Sequence, residues 1–420
     1  MRALHQLKSF SGTLPGVTPA AQLRVHQYAT VPDNIRAAFG YCVQQVRQYD
    51  YLNYIWVAQM SKDLRPALFA LRAFNIETAL VADTVRSKEA VVGQIRFQWW
   101  RDAVKAAYED RPPNHPVALA LAHVLHSPPP SLARGGGAGT DGAAGARADG
   151  AGGAGSAAAE RQQPGGSSFP DPGAGVHHGC MSAGSGAGSG VPAWDAIAGV
   201  PGGGAEVGAA RAVGGPGRLS RYSFKRIIDC READFLDPQP PLDLGALEQY
   251  AEGTASQLMY LQLAAAGIKD READHAASHL GRAAGIITLL RGTAAHAAAR
   301  RSYLPVDICA EARVSQEDVY GGVVSEGLRD VVHKVASLAK GHLDEARRLA
   351  PRLPPSAAGL MLPAVAVGRY LEALEAANFN PSDSGLLREQ GVGVGDRGGG
   401  GGAPLAYVLA VKWHHWRGTF

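Results

Sequence analysis

The most distinctive chemistry in this chain lies in a basic segment that follows an apolar helix. Residues 285–305 read GIITLLRGTAAHAAARRSYLP, which predicts a helix that runs into a basic turn. The candidate ligand-binding groups in this segment are Arg291, Arg301 and Tyr303. Guanidinium groups bind phosphate and carboxylate oxygens through paired hydrogen bonds. Two interpretations stay open: a residual anion site, or arginines that interact favourably with a helix C-terminus.

A glycine motif near the C-terminus matches a nucleotide-binding loop only in its spacing. Residues 393–398 read GVGDRG and fit GxGxxG. Such a loop binds phosphate when it follows a strand and opens a helix. These residues follow no predicted strand and lie in a glycine tract. Chance composition therefore explains the match better than nucleotide binding does.

The histidines form no recognisable metal-binding motif in the sequence. The pairs His177–His178 and His414–His415 lack ligand spacing and cysteine partners, so we assign them no metal and predict no cofactor. Asp274, His275 and His279 lie near a predicted helix start. Capping and a solvated helix face are the favoured interpretations for these three residues.

The elements that must position these residues are helices. Apolar residues recur at steps of three and four, and no convincing strand alternation occurs. The pattern predicts an all-α domain of roughly ten helices. The aromatic group Tyr49, Tyr51, Tyr54 and Trp56 is predicted to be core, with the lining of an apolar pocket as the alternative. The predicted helices are 34–62, 64–86, 91–108, 116–126, 222–234, 244–266, 273–298, a short one from Ser315, 328–349, 356–377 and 405–416.

Glycine-rich sequence divides the predicted domain. The chain has 420 residues and 53 glycines, and about half of these glycines fall within residues 128–217. Such a segment cannot bury enough apolar surface to offset the entropy of ordering it. We therefore predict one domain, formed by residues 33–127 and 218–420, with 128–217 as a disordered loop insertion. Residues 391–403 are predicted to be a second, shorter glycine-rich loop.

Composition restricts the compartment and the partners. A net charge of +3 argues against a nucleic-acid-binding protein with a broad basic surface. The four cysteines are scattered, which fits a reducing compartment. No apolar run approaches the roughly 20 residues that span a bilayer. Residues 1–31 contain no Asp or Glu, and Arg2, Lys8 and Arg24 supply positive charge, so residues 1–32 are predicted to be an organellar transit peptide, with an ordinary disordered tail as the alternative.

Two blocks of sequence resemble the signature regions of the squalene/phytoene synthase family. The first runs from Phe69 to Glu77 and on to Asp83, and the second from Gly285 to Pro305. Intervening blocks at 115–118, 228–234 and 250–252 occur in the same order as in that family. The resemblance implies an all-α isoprenoid-synthase-like fold. It also implies descent from enzymes that condense two prenyl diphosphates.

The resemblance also implies where metal-binding aspartates would be expected. Their positions fall at Ala79 and Asp83 in the first block, and at Gly292 and His296 in the second. Only one of the four is a carboxylate. Imidazole is a poor ligand for Mg²⁺, which prefers oxygen, so His296 does not replace an aspartate. We therefore expect no metal site and no prenyl transfer, and we keep Asp83, Arg291, Arg301 and Tyr303 as residual pocket candidates.

Further blocks resemble one branch of this family, whose members act in the assembly of mitochondrial complex I. These blocks are 73–77, 267–270, 273–279, 304–309 and 314–318. The resemblance implies a mitochondrial matrix protein that is peripheral to the inner membrane. It would act early on a membrane-arm intermediate, with assembly intermediates and other assembly factors as partners. The alternatives are an active prenyltransferase, and a protein that binds a prenyl lipid or quinone in the apolar tunnel of the fold.

Overall fold

The computed structural model describes residues 32–85, 90–127, 219–383, 386 and 405–420, all of which belong to one compact unit. The predicted insertion and the second glycine-rich loop lie outside these residues, as do the GxGxxG match, His177–His178 and, except for Pro32, the predicted transit peptide.

Within the described ranges, every regular element is helical, which confirms the all-α class. Two short 3₁₀ turns, Ala350–Arg352 and Gly359–Met361, flank α15. The helices are α1 Asp33–Tyr49, α2 Tyr51–Val57, α3 Arg65–Ala79, α4 Val81–Thr84, α5 Ala90–Tyr108, α6 Pro116–His126, α7 Arg221–Leu236, α8 Leu244–Ala251, α9 Gln257–Ala265, α10 Arg271–Arg291, α11 Thr293–Ala298, α12 Val306–Glu311, α13 Gln316–Tyr320, α14 Glu326–Leu349, α15 Pro355–Ala358, α16 Pro363–Ala376 and α17 Leu405–Arg417.

Several predicted helices are interrupted in the structure. The predicted helix 34–62 breaks at Asp50, and the helix predicted to follow it breaks at Leu80. The predicted helix 244–266 contains a π-helical turn, Glu252–Ser256, between α8 and α9. The predicted helix 273–298 breaks at Gly292, between α10 and α11. Apolar periodicity continues across each break, which explains why the sequence showed single helices.

Helix α10 lies at the centre of the fold. It packs against α14 on one side and against α8, the π-helical turn and α9 on another. Glycine allows the close approach to α8, because a Cβ atom at Gly285 would lie 2.7 Å from the Ala251 Cβ. At Gly281 a Cβ atom would lie 2.7 Å from the backbone nitrogen of Ser256. These two glycines therefore bring the π-helical turn against α10.

The residues on either side of the segment 128–218 both contact the C-terminal end of helix α5. The His126 Nε2 lies 2.9 Å from the carbonyl oxygen of Ala107. The hydroxyl of the next residue, Tyr108, donates a 2.6 Å hydrogen bond to the carbonyl of Leu219. The Arg221 guanidinium lies over the Tyr108 ring at 4.4 Å. The last turn of α6 and the start of α7 are thus attached to consecutive residues of α5.

Helix caps agree only partly with the sequence. Ser315 forms a capping box with Asp318 at the start of α13, where a short helix with an acidic first turn was predicted. Helix α10 is capped by Asp270, whose side chain accepts from the Ala273 amide. Asp274 lies in the first turn of α10 rather than at its cap, so the expected capping role at Asp274 is wrong.

The aromatic group around Asp50 is not uniformly core. Trp56 is fully buried, whereas Tyr49 is 52% exposed. Tyr51 and Tyr54 are partly buried and stack on each other with ring centroids 5.8 Å apart. The core prediction was therefore wrong for Tyr49.

Within the described residues, no single helix combines the length and apolar character needed to cross a membrane. One pair, Pro355–Met361 with Pro363–Ala376, satisfies both criteria when taken together, and it is bent by 42°.

Candidate functional site

A buried carboxylate joins two of the predicted pocket residues. Arg301 and Tyr303 follow α11 and converge on Asp234, which lies near the end of α7 and is buried. The Arg301 Nη2 donates to Asp234 Oδ1 at 2.8 Å, and the Tyr303 hydroxyl donates to Asp234 Oδ2 at 2.7 Å. The Arg301 Nη2 also lies 3.0 Å from the Tyr303 oxygen. Both carboxylate oxygens of Asp234 are therefore occupied by donors from within the chain.

The titration behaviour of these groups follows from burial and proximity. Burial raises the pKa of Asp234, and the Arg301 charge acts in the opposite direction. Burial lowers the pKa of Arg301, but the adjacent Asp234 outweighs it and the pKa is raised overall. Burial also raises the pKa of Tyr303, with further contributions from Tyr250 and Asp234. Tyr303 is consequently a neutral donor.

A second arginine extends this arrangement to α3. The Arg231 Nη1 donates to the backbone carbonyl of Asn75 at 2.5 Å, and its Nη2 donates to Asn75 Oδ1 at 2.7 Å. Arg231 also donates to the Thr78 hydroxyl. Burial lowers the pKa of Arg231, while Tyr250 and Asp234 act against that effect. We call Asn75, Thr78, Arg231, Asp234, Arg301 and Tyr303 the Asp234 network, in which Arg301 is hydrogen-bonded to the carboxylate and Arg231 lies close enough to interact with it electrostatically.

At the second predicted pair of metal positions, Gly292 and His296, the His296 side chain occupies the space between the two residues. The His296 ring packs against Gly292, and a Cβ atom at Gly292 would lie 2.9 Å from His296 Nε2 and 3.1 Å from Nδ1. On its other side, the His296 ring meets the Tyr303 ring edge-on at 4.7 Å. Burial, assisted by the Arg301 charge, lowers the pKa of His296 to about 4. The imidazole is therefore neutral near pH 7, and it fills the space that a side chain at position 292 would need.

The first predicted pair is separated by a helix break. Ala79 is the last residue of α3 and Asp83 lies in α4, beyond Leu80. Both residues are exposed. The nearby acid Glu77 is engaged elsewhere, because it accepts a 2.6 Å hydrogen bond from the Tyr41 hydroxyl.

Arg291 does not join the Asp234 network. It is the last residue of α10, and its electrostatic neighbours are Asp50, Tyr370 and Tyr407. Burial lowers the pKa of Arg291, and these three groups oppose the effect. The single basic site expected for Arg291, Arg301 and Tyr303 is therefore divided in two. The helix break at Gly292 lies between the two arginines.

Sequence reasoning did not select Asn75, Arg231 or Asp234 as site residues. All three lie in blocks that carry the family resemblance, at 69–77 and 228–234. Their location within these blocks was the one signal in the sequence that could have identified them as site residues. Its meaning depends on a pairing with Arg301 that spans 67 residues and that no local motif reveals.

The residues around Asp234 and His296 are poorly suited to holding a hard cation. Mg²⁺ is usually held by carboxylates together with substrate phosphates and water. Near His296, the buried carboxylate of Asp234 already accepts from Arg301 and Tyr303. The residues at Ala79, Gly292 and His296 supply no carboxylate.

Comparisons with known proteins agree with this architecture. The model of the squalene/phytoene synthase family matches residues 46–134 and 201–390. The curated relatives include complex I assembly factor 6 from Bos taurus, 31% identical over 349 residues, which cover 83% of this chain and 77% of the relative. The Mus musculus protein of the same name is 30% identical over 367 residues, which cover 87% of this chain and 82% of the relative.

Among solved structures, squalene synthase HpnC from Alicyclobacillus acidocaldarius superposes with a TM-score of 0.55 at 15% identity. The alignment covers 84% of this chain and 98% of that structure. At this identity the likeness concerns the fold, and it confirms the isoprenoid-synthase-like class predicted from the sequence. With the family model matching both sides of the insertion, the chain belongs to the squalene/phytoene synthase family.

Proposed function

We propose that this protein is an assembly factor for mitochondrial respiratory complex I that does not catalyse prenyl transfer. It acts at the matrix face of the inner membrane, on an early intermediate of the membrane arm. Two observations support this proposal: the relatives described above are complex I assembly factors, and the residues around Gly292 lack the expected metal ligands. The observation that carries the non-catalytic part is the His296 ring, which occupies the space beside Gly292.

Loss of the acids matters because departure of a diphosphate needs a Lewis acid. A divalent metal stabilises the charge that develops on the leaving phosphate oxygens. In this chain the guanidinium of Arg301 is committed to Asp234 at 2.8 Å, so it offers little compensation. The rival function is an active prenyltransferase. Detection of squalene- or phytoene-type product from prenyl diphosphate and Mg²⁺ at ordinary enzyme rates would overturn the non-catalytic proposal.

Association with the membrane surface is supported by the C-terminal helix. One face of α17 exposes Leu405, Leu409, Trp413 and Trp416, with exposures of 72%, 57%, 50% and 76%. The helix contains no acidic residue and carries Lys412 and Arg417. An apolar face with tryptophan and flanking cations suits the interface of an anionic bilayer.

The decisive experiment is a native gel of respiratory complexes from cells that lack the protein. We expect loss of mature complex I with the other complexes intact, and restoration on re-expression. A normal complex I band in those cells would contradict the assembly proposal. A defect in several complexes would point instead to impaired quinone supply.

Re-expressed variants separate assembly from catalysis. Asp83→Asn removes the last carboxylate at the four expected metal positions, and its exposure makes the substitution harmless to folding. We expect it to restore complex I as fully as the wild type. Failure of Asp83→Asn to restore, with normal protein levels, would favour the enzyme.

A second pair of variants tests the membrane surface. The double variant Trp413→Ala/Trp416→Ala should reduce flotation with vesicles of anionic lipid and weaken complex I restoration. The control is Ile95→Ala on α5, an apolar side chain that is 64% exposed. Equal flotation of the double variant and the control would reject α17 as the membrane contact.

One observation favours a second candidate function, binding of a prenyl lipid or quinone. Arg231 donates to uncharged groups of Asn75 and Thr78, whereas the Asp234 carboxylate is hydrogen-bonded to Arg301, so two partly buried guanidinium groups lie near one carboxylate. A phosphate or quinone oxygen at the head of a polyprenyl chain would complement that charge. Native mass spectrometry of the purified chain tests this function. A co-purifying polyprenyl species that disappears in Arg231→Gln would support it, and a bare protein mass would reject it.

A further inference from the structure

A cluster of histidines and carboxylates lies at the other half of α10, away from Gly292 and His296. His275 and His279 are four residues apart on α10, so their side chains share one face of the helix. Glu345 lies on α14, which packs against α10. One ligand atom from each of these three residues lies within 4.8 Å of the other two. We call His275, His279 and Glu345, with His342 and Glu248 beside them, the His279 cluster.

The spacing of the nitrogen atoms fits a metal ion. The Nε2 atoms of His275 and His279 are 3.2 Å apart. Two nitrogen ligands of a tetrahedral Zn²⁺, each at about 2.0–2.1 Å, are separated by roughly 3.3 Å. Glu345 supplies an oxygen from the neighbouring helix. The set is two histidines and one carboxylate, which is one of the protein ligand sets that zinc uses while keeping a fourth position open.

A second layer of contacts orients the central histidine. The Nδ1 atoms of His279 and His342 lie 2.9 Å apart, and His342 Nε2 lies 3.2 Å from Glu248 Oε1. A neutral His342 that carries its proton on Nε2, facing the carboxylate, accepts at Nδ1. His279 must then donate from Nδ1, which leaves the lone pair on its Nε2 facing His275. Metal-binding histidines are commonly held in this way by a partner on the other ring nitrogen.

Glu248 is itself held in position by Arg282. The Arg282 Nη1 donates to Glu248 Oε1 at 2.7 Å, and the Arg282 Nε donates to Glu252 Oε2 at 3.0 Å. Glu252 opens the π-helical turn, so the close packing at Gly281 and Gly285 brings both acids to α10. The chain Glu248–His342–His279 is therefore anchored to the helix core rather than to a loop.

We propose that His275, His279 and Glu345 bind one divalent ion of the zinc class, with His342 as a positioning residue. The ion would connect α10 to α14 directly. Binding requires the exposed His275 to carry its proton on Nδ1 and Glu345 to leave Arg348, whose Nε donates to it at 2.8 Å. The segment between the histidines is Ala276-Ala277-Ser278, so no carboxylate follows His275 to act as a general base. The role that we assign to the ion is therefore structural, as a link between the two helices.

Titration of the untagged, chelator-treated full chain with Zn²⁺ tests this proposal. We expect saturable binding of one ion per chain, and a cobalt derivative whose visible absorption bands are those of a tetrahedral site. His275→Ala and Glu345→Gln should each weaken binding by about 100-fold or more, since they remove a ligand. His342→Gln should weaken binding by about 10–100-fold, as expected for a positioning residue.

Two further variants guard against misfolding and surface binding. His333→Gln, an exposed histidine on the same helix as Glu345, should leave affinity unchanged. Arg348→Gln releases Glu345 from its partner and should tighten binding, a result that loss of folding cannot mimic. The proposal is overturned if the wild-type chain shows no saturable one-to-one binding. It is equally overturned if His275→Ala binds Zn²⁺ as tightly as the wild type.

Discussion

The two ends of α10 present histidines in opposite circumstances. Near its start, the ring nitrogens of His275 and His279 face each other and a carboxylate from α14. Beyond its end, the partly buried ring of His296 packs against Gly292 and Tyr303. The family resemblance directed attention to the second end, where ligands are missing. The geometry that suits a metal lies at the first end, more than two helical turns away.

The difference shows how a helical scaffold can keep its packing while its chemistry changes. At the Gly292 end, the buried carboxylate is satisfied internally, because Asp234 accepts hydrogen bonds from Arg301 and Tyr303. A carboxylate that is satisfied in this way stabilises the fold and is not available as a metal ligand. At the His279 end, the outward-facing nitrogen and carboxylate atoms remain within reach of solvent.

The strongest test of the Gly292 end is removal of its buried carboxylate, Asp234. Asp234→Ala leaves the partly buried Arg301 charge, whose side chain is 23% exposed, without its partner, and should lower the free energy of unfolding by about 3 kcal/mol. The neighbouring pair Arg300–Glu317 offers a matched control, because its side chains are 66% and 71% exposed. Glu317→Ala should cost no more than about 1 kcal/mol. Denaturant unfolding measures both, and similar losses would mean that the Asp234 network is not buried as described.

Reintroducing an acid beside His296 should produce the next largest effect. Gly292→Asp places a side chain against the imidazole ring and should destabilise by about 1–3 kcal/mol. The double variant Gly292→Asp/His296→Ala should recover part of that loss, because the ring is gone. Urea unfolding of the two single variants, the double variant and the wild type gives the coupling energy. If the effects of the two single substitutions on the free energy of unfolding simply add in the double variant, the proposed contact between positions 292 and 296 is contradicted.

The pH dependence of stability should be the smallest of the three effects. The folded pKa of His296, about 4, lies below the ordinary value of 6.5, so the unfolded chain binds more protons between these values. Stability is therefore full above pH 6.5 and falls as the pH drops toward 4. Between pH 7 and pH 5 the contribution of His296 is about 2 kcal/mol. His296→Gln should flatten this part of the profile in thermal unfolding, and an unchanged slope would assign the protons elsewhere.

Sequence reasoning recovered the class of the fold and most helix positions, because apolar periodicity is a local property. Helices α5 and α6 were placed to within a residue, and the Ser315 cap was located from its acidic first turn. The breaks at Asp50 and Gly292 were missed because the apolar pattern continues through them. The π-helical turn was missed for the same reason, since one extra residue barely disturbs the pattern.

The sites depended on contacts that local patterns do not encode. Arg291 and Arg301 were grouped because they are close in sequence, yet Arg291 lies near Asp50 while Arg301 pairs with Asp234. His275 and His279 look like solvated residues until His342, 63 residues beyond His279, is placed beside them. Tertiary packing alone brings these groups together.

The attachment of α6 and α7 to Ala107 and Tyr108 has a consequence for the evolution and engineering of the chain. Residues 128–218 leave and rejoin the fold at neighbouring points, because His126 meets Ala107 and Leu219 meets Tyr108. The core therefore places little restriction on the length of sequence between them. A lineage could lengthen or shorten this connection without repacking a helix. A reporter domain inserted there, or a linker of a few residues in place of the glycine-rich stretch, should leave both ends of α10 unchanged.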